Sequence, residues 1–166
     1  MFINNNNKKM SEIPFSLHPN TSVQTTNGAK LIKDIKAGDF VYRDNGETIQ
    51  ILYNIKYIVQ VKKFILFTVG SLGNNLPTAN MYVTPGHLIM YNGVLTSCQQ
   101  MINGTTIGEI ELDNVNVHAL CTREQVNVKI NGIPVSAWAE HDWNQYTAAN
   151  KFPWVKANAG CNCGKK

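Results

Sequence analysis

Short runs of apolar and β-branched residues recur along this chain, and Gly, Asn and Pro separate them. Runs of this length and composition are typical of β-strands. The clearest turn is Asn27-Gly28, which stands between "TSVQTT" and "AKLIKDI" and is a strong hairpin signal. No stretch of ten or more residues has the 3.6-residue apolar period of an amphipathic helix. The pattern therefore predicts an all-β domain.

The remaining runs extend this pattern to residue 139. A short helical turn is expected near Ser97 to Met101, and a turn between strands at Thr122 to Gln125. The other predicted strands are "DFVYR", "TIQILYNIKYIVQV", "KKFILFTVG", the strand pair around the turn of "MYVTPGHLIMY", and the runs after Val115. In an all-β domain of this kind, most strand pairings are expected to join residues that lie far apart in the sequence.

Length and composition suit one compact domain with two tails. The chain has 166 residues, and 43% of them are hydrophobic, which is enough for a buried core. We expect a short leader at 1–15, a β domain at 16–139 and a C-terminal tail at 140–166. The tail contains Trp143, Tyr146, Phe152 and Trp154. Part of it is expected to pack on the domain, and its aromatic residues could dock a protein partner.

Charge and cysteine content exclude several classes of function. The net charge is +4, but the basic residues are scattered or form only pairs such as Lys62-Lys63, so nucleic-acid binding is not expected. No stretch approaches the ~20 apolar residues of a membrane span, and the N-terminus lacks a signal sequence. Four cysteines are too few for a disulfide scaffold. These features favour a cytoplasmic or other reducing compartment.

The stretch Thr84-Pro85-Gly86-His87 joins two of the predicted strands. Pro and Gly are ordinary turn residues. Thr and His are not explained by a turn, and the stretch read alone favours a turn beside a half-buried histidine. A second motif elsewhere in the chain changes this interpretation.

That second motif lies between Phe15 and Tyr42 and resembles the opening block of the Hint superfamily, the fold of inteins and hedgehog autoprocessing domains. Such blocks begin with Cys or Ser and continue with a turn, a Thr-x-Val step, a hairpin, an Ile-x-Asp-Ile step and a Gly-Asp pair. Their counterparts are Ser16, Pro19-Asn20, Thr21 with Val23, Asn27-Gly28, Ile32 to Ile35, and Gly38-Asp39. "VTPGHLIMYNG" is similar to the second motif of the same superfamily, Thr-x-x-His.

A third, weaker similarity lies at Ile130 to Trp138. It places Ser136 and Ala137 where inteins carry His-Asn, and "Ser-Ala-Trp-Ala" resembles the end of hedgehog-type domains. The resemblance covers Ser16 to Ala139 and is closer to the hedgehog-type, non-splicing branch than to a complete intein. It implies an all-β, pseudo-symmetric horseshoe with an aromatic C-terminal tail.

The resemblance also implies a reaction on the chain's own backbone. Ser16 Oγ would attack the carbonyl of Phe15, converting the Phe15–Ser16 amide into an ester that water hydrolyses. His87, with a pKa near neutrality, would protonate the Ser16 nitrogen, and Thr84 would orient His87 or the scissile peptide. No cofactor is needed, and the substrate is the chain's own leader.

Several residues depart from the complete pattern. Serine is a weaker nucleophile than cysteine, and Phe15 is bulkier than the glycine of hedgehog-type domains. Without Asn at position 137 no succinimide can form, so splicing is not expected. The stretch "YIVQVKKFILF" carries Lys where sterol transfer would need an acidic base. These departures, with a leader of only 15 residues, leave open a catalytically degenerate Hint fold that serves as a structural or protein-interaction module.

The auxiliary candidates are weaker. His18 could lie beside Ser16 as its base, although an exposed turn histidine is the plainer interpretation. Asp39 suits a turn-capping acid. His118, Cys121, Cys161 and Cys163 could supply four zinc ligands. Their spacing is irregular, so no metal site is predicted, and His141 with Asp142 is expected on the surface.

Overall fold

The structure is a computed structural model that describes residues 15–159. Its strands are β1 (Ser22–Thr25), β2 (Gly28–Leu31), β3 (Phe40–Tyr42), β4 (Thr48–Gln50), β5 (Tyr53–Phe67), β6 (Met81–Val83), β7 (Leu88–Tyr91), β8 (Val94–Ser97), β9 (Ile107–Thr122), β10 (Asn127–Ile130), β11 (Ile133–Ser136), β12 (Trp138–Ala139) and β13 (Trp154–Ala157). Short 3₁₀ turns cover Ile32–Asp34 and Cys98–Met101, and an α-helix, α1, covers Glu140–Asn150. The all-β prediction is confirmed, whereas most of the predicted leader and the Cys161/Cys163 pair lie outside the described residues.

Two hairpins repeat the same local design in the two halves of the domain. β1 pairs with β2 around the predicted Asn27-Gly28 turn, and the 3₁₀ turn Ile32–Asp34 follows. β7 pairs with β8 around Asn92-Gly93, and the second 3₁₀ turn follows at Cys98–Met101, as the sequence predicted. Asn92 and Gly93 have φ values of 53° and 79°. Both therefore adopt the left-handed region that a two-residue hairpin loop requires.

The long strands β5 and β9 pair antiparallel and form the centre of the largest sheet. β13 and β6 both add to β5, and β12 runs parallel to the end of β9. The two runs that flank the Thr84–His87 turn are strands, but they do not pair with each other. β6 pairs with β5, whereas β7 joins β8 and β11 in another sheet. The turn therefore connects two sheets, which places its side chains in the interior between them.

Buried side chains form two clusters. One lies between the sheets that contain the β1–β2 and β7–β8 hairpins and includes Val23, Phe67, Ile89 and Val135. The other lies on the β5–β9 pair and is mainly aromatic, with Tyr57, Phe64 and Trp143 buried completely. Burial of side chains this large is the main contribution to stability in such a domain.

The helix α1 differs from the expectation that no helix of ten residues would form. Its sequence, "EHDWNQYTAAN", buries only Trp143, so it lacks the apolar stripe by which helices are recognised. Trp143 and Tyr146 are three residues apart and therefore share one face, which packs on Trp138 with ring centroids 5.0 and 5.5 Å away. His141 and Asp142 are exposed, as expected.

The tail beyond α1 also packs on the domain. β13 pairs with β5 from Trp154 to Ala157, and Phe152 lies edge-on to Tyr57 at 4.9 Å. The aromatic residues of the tail thus complete the second cluster. Within residues 15–159, no helix is both long and apolar enough to cross a membrane.

Candidate functional site

The segment that carries Ser16 lies between two strands of the central sheet. Leu17 forms isolated bridges with Val83 on β6 and with His118 on β9. The Leu17 N–H donates to the His118 carbonyl at 2.7 Å, and the His118 N–H donates back at 3.0 Å. His18 N donates to Tyr82 O at 3.1 Å. Because β6 ends at Val83, this pairing brings Ser16 directly to the Thr84–His87 turn.

Thr84 contacts three atoms of Ser16. The Ser16 N–H donates to Thr84 Oγ1 at 3.1 Å, and Ser16 Oγ lies 3.2 Å from the same oxygen. The Thr84 hydroxyl lies 3.3 Å from Ser16 O, to which the Thr84 backbone N–H also donates at 3.1 Å. Both residues are completely buried, at 0% exposure. One hydroxyl therefore contacts both the side-chain oxygen and the amide nitrogen of Ser16.

His87 lies between two backbone carbonyls. Its Nδ1 is 3.0 Å from Ser16 O, and its Nε2 is 3.3 Å from Ser136 O. A neutral imidazole has one N–H, so it can donate to only one of these oxygens, whereas an imidazolium donates to both. Burial lowers the pKa of His87 to about 4, below the near-neutral value expected from the sequence, and the two carbonyls oppose that shift. The resting ring is neutral at pH 7.

Phe15 is held through its carbonyl and its ring. The Tyr57 hydroxyl donates to Phe15 O at 3.0 Å. The phenyl ring stacks on Trp138, with centroids 4.5 Å apart and planes 15° apart, and lies 5.1 Å from the His87 ring. Sequence reasoning missed Tyr57, because it is one of several aromatic residues in an ordinary strand pattern. It also passed over Trp138, which it used only to align the end of the domain.

Ser136 and Ala137 lie at the site, on the side of His87 away from Ser16. Ser136 supplies the second carbonyl to the ring, and its hydroxyl lies 3.3 Å from Asn127 Oδ1. Ala137 is 2% exposed. Both residues line a cavity of about 10 Å³ beside His87, which has room for about one water molecule.

The structure places the two other auxiliary candidates in local turns. His18 Nδ1 accepts a hydrogen bond from Asn20 N at 3.1 Å, and its half-buried ring packs near Phe64 and Tyr82. Burial lowers the pKa of His18. Asp39 Oδ2 accepts from Lys36 N at 3.0 Å and from Lys30 Nζ at 3.1 Å. The Asp39 carboxylate thus caps its own turn.

The alternative zinc ligands are engaged elsewhere. His118 Nδ1 bonds to Asn54 Oδ1 at 2.9 Å, and the Cys121 thiol lies 3.8 Å from Thr122 O. Burial raises the pKa of Cys121 to about 11, which keeps the thiol protonated. Among residues 15–159, no group of three or more His, Cys, Asp or Glu side chains is placed to hold a metal ion. The Cys161 and Cys163 part of that hypothesis lies outside the described residues.

Comparison with known proteins agrees with the all-β fold. No curated protein matches the sequence. The fold is similar to crystal structures of the gp41-1 intein, with a TM-score of 0.55 and 17% identity over 75% of this chain and 99% of the intein, and of a DnaB intein from Synechocystis sp. PCC 6803, with 0.55 and 14% over 75% and 99%. The Ssp DnaB mini-intein variant M86 gives a TM-score of 0.59 and 13% identity over 77% and 96%.

Similarity at these levels of identity establishes the fold alone. The family is established by a sequence model described as "Hint domain", which matches residues 15–141. The matched range begins at the residue whose carbonyl Tyr57 holds and includes all the contacts around Ser16. Since the match spans most of the sequence, this chain belongs to the Hint domain family.

Proposed function

We propose that this domain cleaves its own Phe15–Ser16 peptide bond, by an acyl shift from nitrogen to oxygen followed by hydrolysis of the ester, and that it does not splice. The fold and family support a function of the autoprocessing type. The observation that carries the finer proposal is the Thr84 hydroxyl, which lies 3.1 Å from the nitrogen and 3.2 Å from the Oγ of Ser16. These are the atoms that exchange the acyl group.

In the first step, Ser16 Oγ attacks the carbonyl carbon of Phe15, and the π electrons of the carbonyl move to Phe15 O. A C–O bond forms, and the C–N bond then breaks with its electron pair on the Ser16 nitrogen. Thr84 holds both ends of this exchange in place. Fixing the reacting atoms in this way removes much of the entropic barrier to attack.

His87 moves the proton in this scheme. In the neutral ring the N–H is on Nε2 and donates to Ser136 O, so Nδ1 carries the lone pair on the Ser16 side. Nδ1 takes the proton from Ser16 Oγ as the bond forms, and the imidazolium returns it to the departing amine. The transient cation is stabilised because Ser16 O and Ser136 O already face its two nitrogens, at 3.0 and 3.3 Å. A pKa of about 4 keeps the resting ring neutral at pH 7, so one ring nitrogen carries a lone pair that can accept the proton.

In the second step, water attacks the ester carbonyl, and the acyl–oxygen bond breaks. The segment ending at Phe15 leaves with a free carboxylate, and Ser16 regains its hydroxyl and carries a free amine. Ser136 and Ala137 cannot provide the amide side chain that splicing would use to release the downstream segment. The lack of that amide supports the non-splicing, hedgehog-like branch.

The test follows the mass of the purified full chain at pH 7 with and without hydroxylamine. We expect loss of residues 1–15, and with hydroxylamine a Phe15 hydroxamate, because the ester reacts with this nucleophile. Ser16→Ala is the matched variant that should keep the intact mass. An unchanged wild-type mass under both conditions would refute the proposal.

A second candidate is a Hint fold kept as an interaction module. The observation that favours it is burial: Ser16 is 0% and His87 1% exposed, and the cavity beside His87 holds only about one water. The aromatic tail remains the proposed partner surface, although its rings face the sheet; Val155 is an exposed apolar side chain in the part of the tail that the structure describes. An intact mass in the same experiment would favour this candidate.

A further inference from the structure

We propose that Tyr57 and Trp138 form a subsite for the acyl side of the cleaved bond: Tyr57 stabilises the oxyanion that forms on Phe15 O, and Trp138 selects an aromatic residue at position 15. This proposal rests on the proposed self-cleavage. It identifies the hydrogen-bond donor that stabilises the oxyanion and the side chain preferred before the cleaved bond. Neither residue belongs to the motifs that identified Ser16, Thr84 and His87.

The Tyr57 hydroxyl is already in contact with the atom that becomes the oxyanion. It donates to Phe15 O at 3.0 Å in the resting structure. As Ser16 Oγ adds to the carbon, this oxygen gains negative charge and the same hydrogen bond strengthens. Burial raises the pKa of Tyr57 well above its ordinary value of 10.0, so the hydroxyl keeps its proton and stays a donor at every pH where the domain works.

The surrounding aromatic residues hold this donor in place before the reaction begins. The Tyr57 ring is completely buried, stacks on Trp143 at 5.9 Å and meets the edge of Phe152 at 4.9 Å. Trp143 belongs to α1 and Phe152 follows it. A donor fixed in a water-excluded site needs little reorganisation when charge develops, which is the condition for effective oxyanion stabilisation. Residues of the C-terminal tail therefore hold the Tyr57 ring in position by packing against it.

Trp138 contributes a second polar group to the same place. Its indole N–H is buried and makes no hydrogen bond of good geometry with any of residues 15–159. It nevertheless lies close enough to Tyr57 to oppose the rise in the pKa of that hydroxyl. A buried donor without a partner is uncommon and calls for an explanation. A donor beside the Tyr57 hydroxyl strengthens that hydroxyl as a donor to Phe15 O, because hydrogen bonds in a chain polarise one another.

The Trp138 ring explains why an aromatic residue precedes the cleaved bond. The Phe15 ring lies 4.5 Å from it in a nearly parallel stack. Such pairs contribute beyond their buried area. The stack holds the Phe15 carbonyl in the position for attack, so Phe15→Leu should lower the fraction of chains in that arrangement and slow cleavage about 2- to 13-fold, and Phe15→Tyr should retain most of the rate.

The main experiment compares Tyr57→Phe with Tyr53→Phe in the full chain. Both replace a buried tyrosine of β5, but the Tyr57 hydroxyl bonds to Phe15 O, and Tyr53 interacts with Cys121 instead. We expect Tyr57→Phe to lower the rate of hydroxylamine-trapped cleavage by about 10²- to 10³-fold. Tyr53→Phe should keep the wild-type rate. Equal rates for the two variants would overturn the proposal while self-cleavage itself stands.

A second readout does not depend on cleavage. In the Ser16→Ala chain labelled with ¹³C at phenylalanine carbonyls, the Phe15 carbonyl resonance reports its hydrogen bond. We expect Tyr57→Phe, but not Tyr53→Phe, to move it upfield. An unmoved resonance would overturn the subsite. If the wild-type chain never cleaves, self-cleavage and the catalytic role of Tyr57 fail together, and a shifted resonance then leaves only the binding subsite.

Discussion

Acidification should destabilise this domain before its carboxylates become protonated, because two buried histidines are neutral in the folded state. Burial lowers the pKa values of both His87 and His118 to about 4, from an ordinary 6.5. At His118 the nearby Lys56 and Lys33 add to this effect, and Asp34 opposes it. Between pH 6.5 and 4 the unfolded chain therefore binds protons that the folded chain does not.

The sign and size of the effect follow from this difference in proton binding. Stability rises with pH wherever the unfolded state binds more protons, so it is complete above pH 6.5 and falls as pH drops toward 4. At pH 4.5 each histidine should have lost about 2–3 kcal/mol, and the two together about 5 kcal/mol. That is comparable to the whole free energy of unfolding of a marginal domain, about 5–15 kcal/mol.

Urea unfolding of the full chain between pH 7 and pH 4.5 measures this loss. His87→Gln and His118→Gln should each reduce the pH dependence by about half, since glutamine takes up no proton. His141→Gln is the matched control because His141 is exposed on α1. If the wild-type free energy of unfolding is flat over this range, or if His87→Gln keeps the full dependence, the neutral buried state of these rings is wrong.

Three other outcomes follow from the same structure. The cleavage rate should stay constant from pH 8 to pH 6, where His87 is neutral and the fold keeps most of its stability, and fall toward pH 4 as His87 becomes protonated and the domain loses stability; a rate that climbs toward acid would contradict the proton-accepting role. Asn54→Leu should lower the free energy of unfolding in urea by about 2–4 kcal/mol, because the Asn54 amide satisfies Ile32 O at 2.7 Å and Ile35 O at 2.9 Å; no change would contradict this. Trp143→Ala should lower the free energy of unfolding in urea by about 3–5 kcal/mol, and it should also slow cleavage because the Tyr57 ring loses its packing partner. Gln145→Ala, at an exposed position of the same helix, is the control.

Local sequence signals predicted the parts of the fold that local chemistry determines. The Asn27-Gly28 hairpin and the helical turn at Cys98–Met101 depend on residues next to one another. The turn at Thr84–His87 was also predicted, but its two strands were expected to pair. A strand's partner depends on contacts far along the chain, and here β5 and β11 are the partners of β6 and β7 outside the hairpin.

The helix α1 was not predicted because its stability comes from elsewhere. Its sequence is polar on most sides, and one tryptophan provides the buried contact. Trp143 packs against Tyr57 and Trp138, which precede it on β5 and β12. Tertiary packing therefore decides its conformation, as it does for most short helices. Tyr57 was missed for a similar reason, because its partner Phe15 lies 42 residues away in the sequence.

The position of the candidate site depends on β9 as much as on the Thr-x-x-His motif. The backbone N–H and C=O of His118 both form hydrogen bonds with the backbone of Leu17. The His118 side chain bonds to Asn54, and the Asn54 amide donates to the carbonyls of Ile32 and Ile35. This network fixes Leu17, the residue after Ser16, to β9, β5 and the 3₁₀ turn Ile32–Asp34. Thr84 fixes Ser16 to the turn that follows β6. The Phe15–Ser16 peptide bond is thus held between the His118–Asn54 network on one side and the Thr84–His87 turn on the other.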